Sequence, residues 1–599
     1  MKYTMNFGRM TTQSPPRKPP GQEFRIAVLG DFSARANAGR LETGKALADR
    51  KPLRVDVDNL EKVFGQLNPT LRLPIGAAGN AVHVSIASLD DFHPDQLYNN
   101  LAVFSELSGL RSRLKNTSTF AAAAKEVQSW SGAATTSGGS SISPKPRGTS
   151  IPHGSLSDFA RLMGQSAGTA AEEAAVDDLI KQVVAPHIVP AAHPDQPAMI
   201  AAVDEALSSA MRQILHHPDF QSLEALWRSA DLMTRELETG SELQIILYDI
   251  SAEEIAADLS STDALESTGL YQLLVERPTV DQRLGPPSVL IGNYMFEQTP
   301  PHAELLGRIG KIAAAAQAPF IAAVTTDCLA KQNADEIHPL ITQSWAALRQ
   351  TPQANYLGLT VPRFMLRWPY GAESEPIESF EFEEFTPQDG LRGMLWANGS
   401  ILAGLLLGKT FSDQGLNAMR LGSVMTLGDV PFYYYTDADG DQIPLPSTER
   451  WVNESTAAHV ISQNLMPVLC VRGRTEVRLG SFNALSGATL AGPWAPVEVK
   501  PDAAFPITPV SQPSSPPAQG VAPVKQADAP IVAEAEAELD SILTSAAAPA
   551  NQPDASKVAG DTPDELATLL AELEANDTQP SEAPAGGIDP DLAALLAEL

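Results

Sequence analysis

Cysteine is almost missing from these 599 residues: Cys328 and Cys470 are the only two. Two thiols cannot build a disulfide framework or a thiolate zinc site, so stability must come from apolar burial. Basic residues are also scarce, 42 against 72 acidic. The net charge of −30 argues against nucleic acid or an anionic membrane surface as a partner. Long hydrophobic runs are absent too. The most apolar stretches, "IAAAAQAPFIAAV" and "ILAGLLLG", fall short of the roughly 20 residues that cross a bilayer, so membrane insertion is not expected. The opening "MKYTMNFGRMTTQSPPRKPPGQ" lacks the apolar core of a signal peptide, which points to the cytoplasm.

What is present is length, apolar content and proline. The chain is long enough for two or more cores, and 43% hydrophobic with 19% charged residues fits a soluble globular class. Residues 1–22 are flecked with Pro and Arg and read as disordered. Residues 23–128 mix strand and helix signals: "FRIAVLGDFS" is a buried strand and "AVHVSIASL" alternates with period two. Leu97, Leu101, Phe104, Leu107, Leu110 and Leu114 then mark one face of a helix of about five turns. Residues 129–168 are rich in Gly, Ser and Pro and read as a flexible linker. A larger domain spans 169–500, with helical patterns in "MIAAVDEALSSAMRQIL" and "FQSLEALWRSADLMTREL" and strands in "LQIILYDI", "PSVLIGNY" and "APFIAAVT". Strands separated by helices argue for an α/β or mixed α+β fold class. Residues 501–599 turn to Ala, Pro, Glu and Asp, with 17 acidic and 2 basic residues, and read as a disordered acidic tail.

Several motifs come near to chemistry. Asp90, Asp91, His93 and Asp95 have the donor types of a metal site, and the triplet His-Pro-Asp recurs at His193-Pro194-Asp195 and His217-Pro218-Asp219. Each triplet precedes a helical pattern and none has a second ligand cluster, so capping is the expected role, with Pro in the first turn and Asp at the positive end of the helix dipole. "GLLLGKT" (404–410) is one residue short of a phosphate-binding loop and has helical flanks. "TDADGDQ" (436–442) misplaces the glycine of a calcium loop and reads as a hairpin turn. His216 and His217, being adjacent, cannot form an i, i+4 zinc pair. No catalytic, cofactor or metal residue is expected, and the chain is read as a non-enzyme.

The tail holds a repeat. Leu566, Leu569, Leu570 and Leu573 fall at i, i+3, i+4 and i+7, and Leu592, Leu595, Leu596 and Leu599 repeat the spacing after a second Pro-Asp. Each segment is too short for a stable isolated helix. Both are therefore expected to order on a partner's groove, as paired partner-binding elements on a flexible arm.

Two stretches resemble the contractile sheath proteins of type VI secretion. Residues 25–115 are similar to the small subunit (TssB family) through "VLGDFS", "LADRKPLRVDVDNLEKVF", "LDDFHPDQLY" and "VFSELSGLRSRL". Residues 199–485 are similar to the large subunit (TssC family) through "ILHHPDFQSLEALWR", "KIAAAAQAPFIAAV", "LRQTPQANYLGLTVPRFMLRWPYG", "LWANGSILAGLL", "TDADG" and "LMPVLCVRG". The resemblance implies a structural or accessory sheath component, acting through protein–protein assembly without a cofactor. It implies partners among sheath and baseplate proteins, self-assembly, and the AAA+ ATPase that dismantles the sheath. Two departures stand out: the subunits are fused, and the chain turns to the acidic tail soon after Trp494, where the large subunit would continue with helices and an exchanged strand. The alternative, a nucleotide-dependent assembly factor or enzyme on a sheath-derived scaffold, leans on "GLLLGKT" alone.

Overall fold

The computed structural model describes residues 5–10, 23–75, 80–130, 145–152, 184 and 196–494, apart from 282–283, 331–337, 438 and 472. The tail leucines from Leu566 to Leu599, His193–Asp195 and most of the expected linker lie outside the described residues.

The strands, in chain order, are β1 (Phe24–Gly30), β2 (Leu53–Val55), β3 (Thr70–Ile75), β4 (Asn80–Ser85), β5 (Leu243–Asp249), β6 (Val289–Phe296), β7 (Phe320–Val324) and β8 (Leu357–Val361). There follow β9 (Phe364–Met365), β10 (Trp396–Ala397), β11 (Thr426–Leu427), β12 (Tyr433–Thr436), β13 (Gln442–Leu445), β14 (Met466–Cys470) and β15 (Val477–Leu479). Among the described residues nine of them form one sheet, in the order β11-β15-β14-β8-β7-β6-β1-β5-β2. From β14 to β5 the pairings are parallel; both ends are antiparallel.

Parallel strands need helical crossovers, and those helices cover both faces. The strand sequences show this directly. Phe24, Ile26 and Val28 of β1, with Leu243, Ile245 and Leu247 of β5, point into one core. Ala27, Leu29, Ile246 and Tyr248 point into the other. On the first face lie α1 (Leu60–Leu67), α2 (Pro94–Asn100), α3 (Ala102–Lys115), α4 (Phe120–Trp130), α5 (Gln196–Leu215) and α6 (Pro218–Glu236). The second face carries α7 (Ala252–Ser260), α8 (Pro300–Ala316) and α9 (Pro339–Arg349). The helix α10 (Gly399–Gln414) returns over the first face, and α11 (Glu454–Ser462) precedes β14. The mixed α/β class expected from the sequence holds.

Three sequence expectations need correction. The single five-turn helix is two: Leu101 sits in extended backbone (φ −98, ψ 129) between α2 and α3, so the backbone breaks there while the Leu101 side chain stays in the same core. Residues 5–10, expected to be disordered, pack on the second core through Met5, Phe7 and Met10. Arg308 donates to the Asn6 carbonyl at 3.0 Å and Lys311 to that of Gly8 at 2.7 Å, which satisfies this extended backbone. Residues 145–152 of the expected linker are also docked. Ile151 is buried, and the Ile151 N–H and Met295 N–H pair the segment with β6.

"GLLLGKT" lies inside α10, not in a loop. Gly404 and Gly408 let the helix approach Ile291 and Leu237, where an added Cβ would come within 3.0 and 2.8 Å. Thr410 is buried and donates to the Leu406 carbonyl, and Lys409 pairs with Glu236 at 2.6 Å. The nucleotide-binding alternative loses its support, because no backbone N–H here is free to face a phosphate. "TDADGDQ" is the turn of the hairpin β12–β13, as expected; Asp437 accepts from Asp439 N and Asp441 N at 3.0 and 2.9 Å.

Candidate functional site: the joint between the two parts

Seven residues of the N-terminal part, Phe24–Gly30, run between β5 and β6 of the C-terminal part in parallel register, from Phe24↔Leu243 to Gly30↔Asp249 on one side. All seven are buried. A central parallel strand donates its backbone to both neighbours, so neither part completes the sheet alone.

Aromatic packing continues the joint above the sheet. Trp227 of α6 is fully buried, with Phe64 at 4.0 Å and Phe32 edge-on at 5.2 Å between centroids. Its indole N–H donates to the Phe32 carbonyl at 3.0 Å. Phe92 meets Phe220 at 5.5 Å, Tyr98 stacks on Phe380 at 5.3 Å and Phe24 on Phe411 at 5.0 Å. Each pair has one ring from each part.

A polar seam closes the second face. Glu254, with no exposure, accepts from Arg35 Nε at 3.0 Å and Arg50 Nη1 at 2.7 Å, and also caps α7 at Ser251 N. Asp249 accepts from Ser33 N and Oγ at 3.0 and 2.6 Å. Asp258 collects the N–H groups of Gly44, Gly269 and Leu270 at 2.6, 3.1 and 2.8 Å. Gly269 is required there: a Cβ would sit 2.2 Å from the Gly44 carbonyl oxygen. Burial, and then the neighbouring Asp249 charge, pushes the Asp31 carboxyl well above its ordinary range. Residues 145–152 cross this seam: Arg147 N donates to Asp219 at 2.7 Å, Gly148 N to Glu253 at 3.0 Å, and Ala252 N to the Gly148 carbonyl at 2.8 Å.

The two His-Pro-Asp triplets among the described residues, at His93 and His217, belong to the same joint. His93 and His217 each accept, through Nδ1, the N–H of the residue two positions on, at 3.2 Å in both cases. Pro94 and Pro218 follow in the first turns. Capping is therefore the role, with one correction: the acceptor is the imidazole, and the aspartate is released for a second task. His338-Pro339 repeats the cap without an aspartate, Leu340 N donating at 3.2 Å. Asp95 accepts from Glu378 N at 3.1 Å, Ser379 N at 2.9 Å and the Ser379 hydroxyl, all in the other part. Burial alone would raise its pKa, but these hydrogen bonds hold it below the ordinary carboxylate range. Asp219 accepts from Asn37 Nδ2 at 2.7 Å. Asp91 accepts from Ala87 N and Ser88 N at 2.7 and 2.9 Å. The carboxylates are thus spent on backbone N–H groups. Asp95→Ala should cost about 1.5–3 kcal/mol, the range for hydrogen bonds to a charged group, rather than the ~0.5 kcal/mol of a dipole contact alone. Urea unfolding of the full chain measures it, and a loss below about 0.5 kcal/mol would show that the clasp to Ser379 contributes nothing.

Below the joint a buried ionic group ties α6 to the segment after β9. Arg367 Nε donates to Glu224 at 2.8 Å and its Nη1 to Glu384 at 2.7 Å, while Arg228 Nε reaches Glu224 at 2.7 Å. Tyr370 N donates to Glu384 at 2.8 Å, and the Arg367 guanidinium lies 4.3 Å over the Tyr370 ring. Glu224 and Glu384 have no exposure.

An interface with a shared central strand, interlocked rings and buried ion pairs such as Arg50–Glu254 is the geometry of an obligate assembly pair, here folded within one chain. The comparisons place it. Residues 22–129 match the family described as "Type VI secretion system, VipA, VC_A0107 or Hcp2", and residues 197–486 the family described as "EvpB/VC_A0108, tail sheath N-terminal domain". The type VI secretion system sheath protein TssC1 of Pseudomonas aeruginosa is 31% identical over 287 residues, which cover 45% of this chain and 57% of that relative. The chain thus spans a little over half the length of the curated relative it matches. One polypeptide thus carries, in order, a part that matches the small-subunit family and a part that matches the large-subunit family of type VI secretion sheath proteins. No helix among the described residues is long and apolar enough to cross a membrane.

Proposed function

We propose that this chain is a pre-joined sheath protomer, a structural component of a type VI secretion contractile sheath that acts in the cytoplasm by assembly and not by catalysis. The observation that carries the reading is β1, a small-subunit strand paired on both edges by large-subunit strands. Fusion fixes the stoichiometry at one to one and makes docking of the parts intramolecular. Negative-stain electron microscopy of the purified chain, alone and mixed with separately encoded sheath subunits, tests it. Tubes or rings containing the fused chain are expected. A chain that stays monomeric and is excluded from tubes formed by the ordinary subunits overturns the reading.

The acidic tail is proposed to recruit a partner to the assembled protomers. The two Leu-Ala segments carrying Leu566, Leu569, Leu570 and Leu573, and Leu592, Leu595, Leu596 and Leu599, offer two apolar stripes per chain. A repetitive partner, such as the sheath-dismantling AAA+ ATPase or a baseplate ring, would bind both with avidity. Changing Leu569, Leu570, Leu595 and Leu596 to Ser should lower the affinity of the purified ATPase or baseplate component for the full chain at least tenfold. Equal binding by both chains would remove the tail from this role.

A further inference from the structure

The first 22 residues contain Lys2, Arg9, Arg17 and Lys18 and no acidic residue, in a chain whose net charge is −30. At their centre stands Pro15-Pro16-Arg17-Lys18-Pro19-Pro20. Paired prolines around two cations favour polyproline II, a form that docks on aromatic grooves with little loss of conformational freedom.

A surface of opposite character lies on the outer face of the hairpin β12–β13. Trp368 is 41% exposed and Tyr434 51%. Tyr434 stands opposite Pro444 in the register of the hairpin, and Phe432 meets Tyr434 edge-on at 5.0 Å. The Trp368 indole N–H donates to the Phe432 carbonyl at 3.0 Å, which joins the four into one platform. Tyr433 and Tyr435, on the inner face, pack on Phe385 and hold the hairpin in place. The hairpin tip carries Asp437, Asp439 and Asp441, with no Lys or Arg between residues 421 and 449. Glu449 at the base of the hairpin is taken up by Arg363, and Glu384 after Trp368 by Arg367, so the negative charge offered here is that of the tip.

We propose that the platform of Trp368, Phe432, Tyr434 and Pro444 binds the basic proline-rich segment Pro15–Pro20 of a second copy of this chain. The prolines lie across the Trp368 and Tyr434 rings, and Arg17 and Lys18 face the aspartates at the hairpin tip. Six residues of polyproline II extend roughly 19 Å, enough to reach from the rings to the tip.

Reach excludes the same copy. Phe24 opens β1 at the N-terminal end of the parallel strands, and Pro20 can lie at most about 14 Å from it. β1 itself covers roughly 23 Å to its far end. The platform lies past that far end: Arg367, next to Trp368, pairs with Glu224 near the start of α6, and one turn on Trp227 of α6 reaches the Phe32 carbonyl beyond the end of β1. A segment of one copy on the platform of the next is a heterologous contact, in which every copy uses both surfaces.

Sedimentation velocity of the full chain tests the contact. The wild type should associate with rising concentration and dissociate with added salt, since the charges involved are exposed. A segment variant (Arg17→Glu with Lys18→Glu) and a platform variant (Trp368→Ala with Tyr434→Ala) should each self-associate at least tenfold more weakly. Mixed, they should pair one to one and stop there, because the first keeps a platform and the second keeps a segment. Excess peptide of residues 11–22 should dissolve those pairs. Tyr434→Ser, a single change at an exposed position, replaces the platform variant if the double change impairs folding by circular dichroism. A monomeric wild type, variants that associate like it, or a mixture that stays unpaired overturns the proposal. Sedimentation is run below the concentration at which tubes form by electron microscopy, so that this contact is read apart from sheath assembly and its failure leaves the sheath reading standing.

Discussion

Trp227→Ala should lower the unfolding free energy of the full chain by about 3–5 kcal/mol, the range for deleting a large buried aromatic side chain. The ring is fully buried, and its aromatic contacts, Phe32 and Phe64, both come from the small-subunit part. The change also leaves the buried Phe32 carbonyl without the indole donor, which adds to the loss. Trp227→Phe keeps most of the packing and removes only that donor, so it should cost about 1–2 kcal/mol. Urea unfolding distinguishes the two variants. The same residue decides a second measurement. Residues 1–130 and 145–599, expressed as separate chains, should co-purify, since the shared sheet does not depend on the covalent connection. With Trp227→Ala in the longer piece, they should part. Halves that fold and ignore each other, or a Trp227→Ala cost below 1 kcal/mol, would sink the view that the joint is a single core.

How far the sequence could lead to this joint depends on which contacts are local. "FRIAVLG" and "LQIILYD" announce themselves as buried strands because both faces are apolar, which is what a parallel interior strand needs. That β1 lies between β5 and β6 was not legible, since its partners are more than 200 residues away and periodicity carries no information on pairing. Leu101 kept the heptad-like spacing of a helix while its backbone left the helix, so a side-chain pattern alone could not find the break. The His-Pro-Asp repeats were legible as caps, and their recurrence was the right signal. The identity of the acceptor atom, and the release of Asp95 to Ser379 of the other part, depend on tertiary geometry. Met5, Phe7 and Met10 show the opposite failure. Three apolar residues in a polar, proline-flanked run look too few to fold, yet Gly307 of α8 leaves room for the Phe7 ring, and Arg308 and Lys311 take up the carbonyls of Asn6 and Gly8. The tail leucines lie outside the described residues, and their role stands on spacing alone.

Arg367→Met should cost about 3–5 kcal/mol at pH 7, because it removes the cation from two carboxylates that have no exposure. The pH dependence identifies the cause. In the native protein burial alone would raise the Glu224 pKa, but Arg367, and after it Arg228, hold it below the ordinary value of 4.5. A depressed carboxyl contributes stability that is in place above its unfolded pKa and is lost as pH falls through the folded one. Native Glu224 therefore stabilises the fold in full across pH 5–8, and that contribution is lost only as pH falls below about 4.5. Without Arg367, burial at Glu224 is opposed by Arg228 alone, and the folded pKa rises. The sign then reverses: a raised carboxyl binds a proton on folding, so the variant gains stability relative to the native chain as pH falls from 8 toward 5. The gap between the two should shrink by at least half over that range. A second change separates charge from packing. Glu224→Gln combined with Arg367→Met removes one of the two buried carboxylates that lose Arg367 and should cost less than Arg367→Met alone, a non-additivity expected of residues in one network. If the cost of Arg367→Met is the same at pH 5 and pH 8 and the Gln change only adds to it, the loss comes from the missing side-chain volume beside Tyr370 and not from stranded charge.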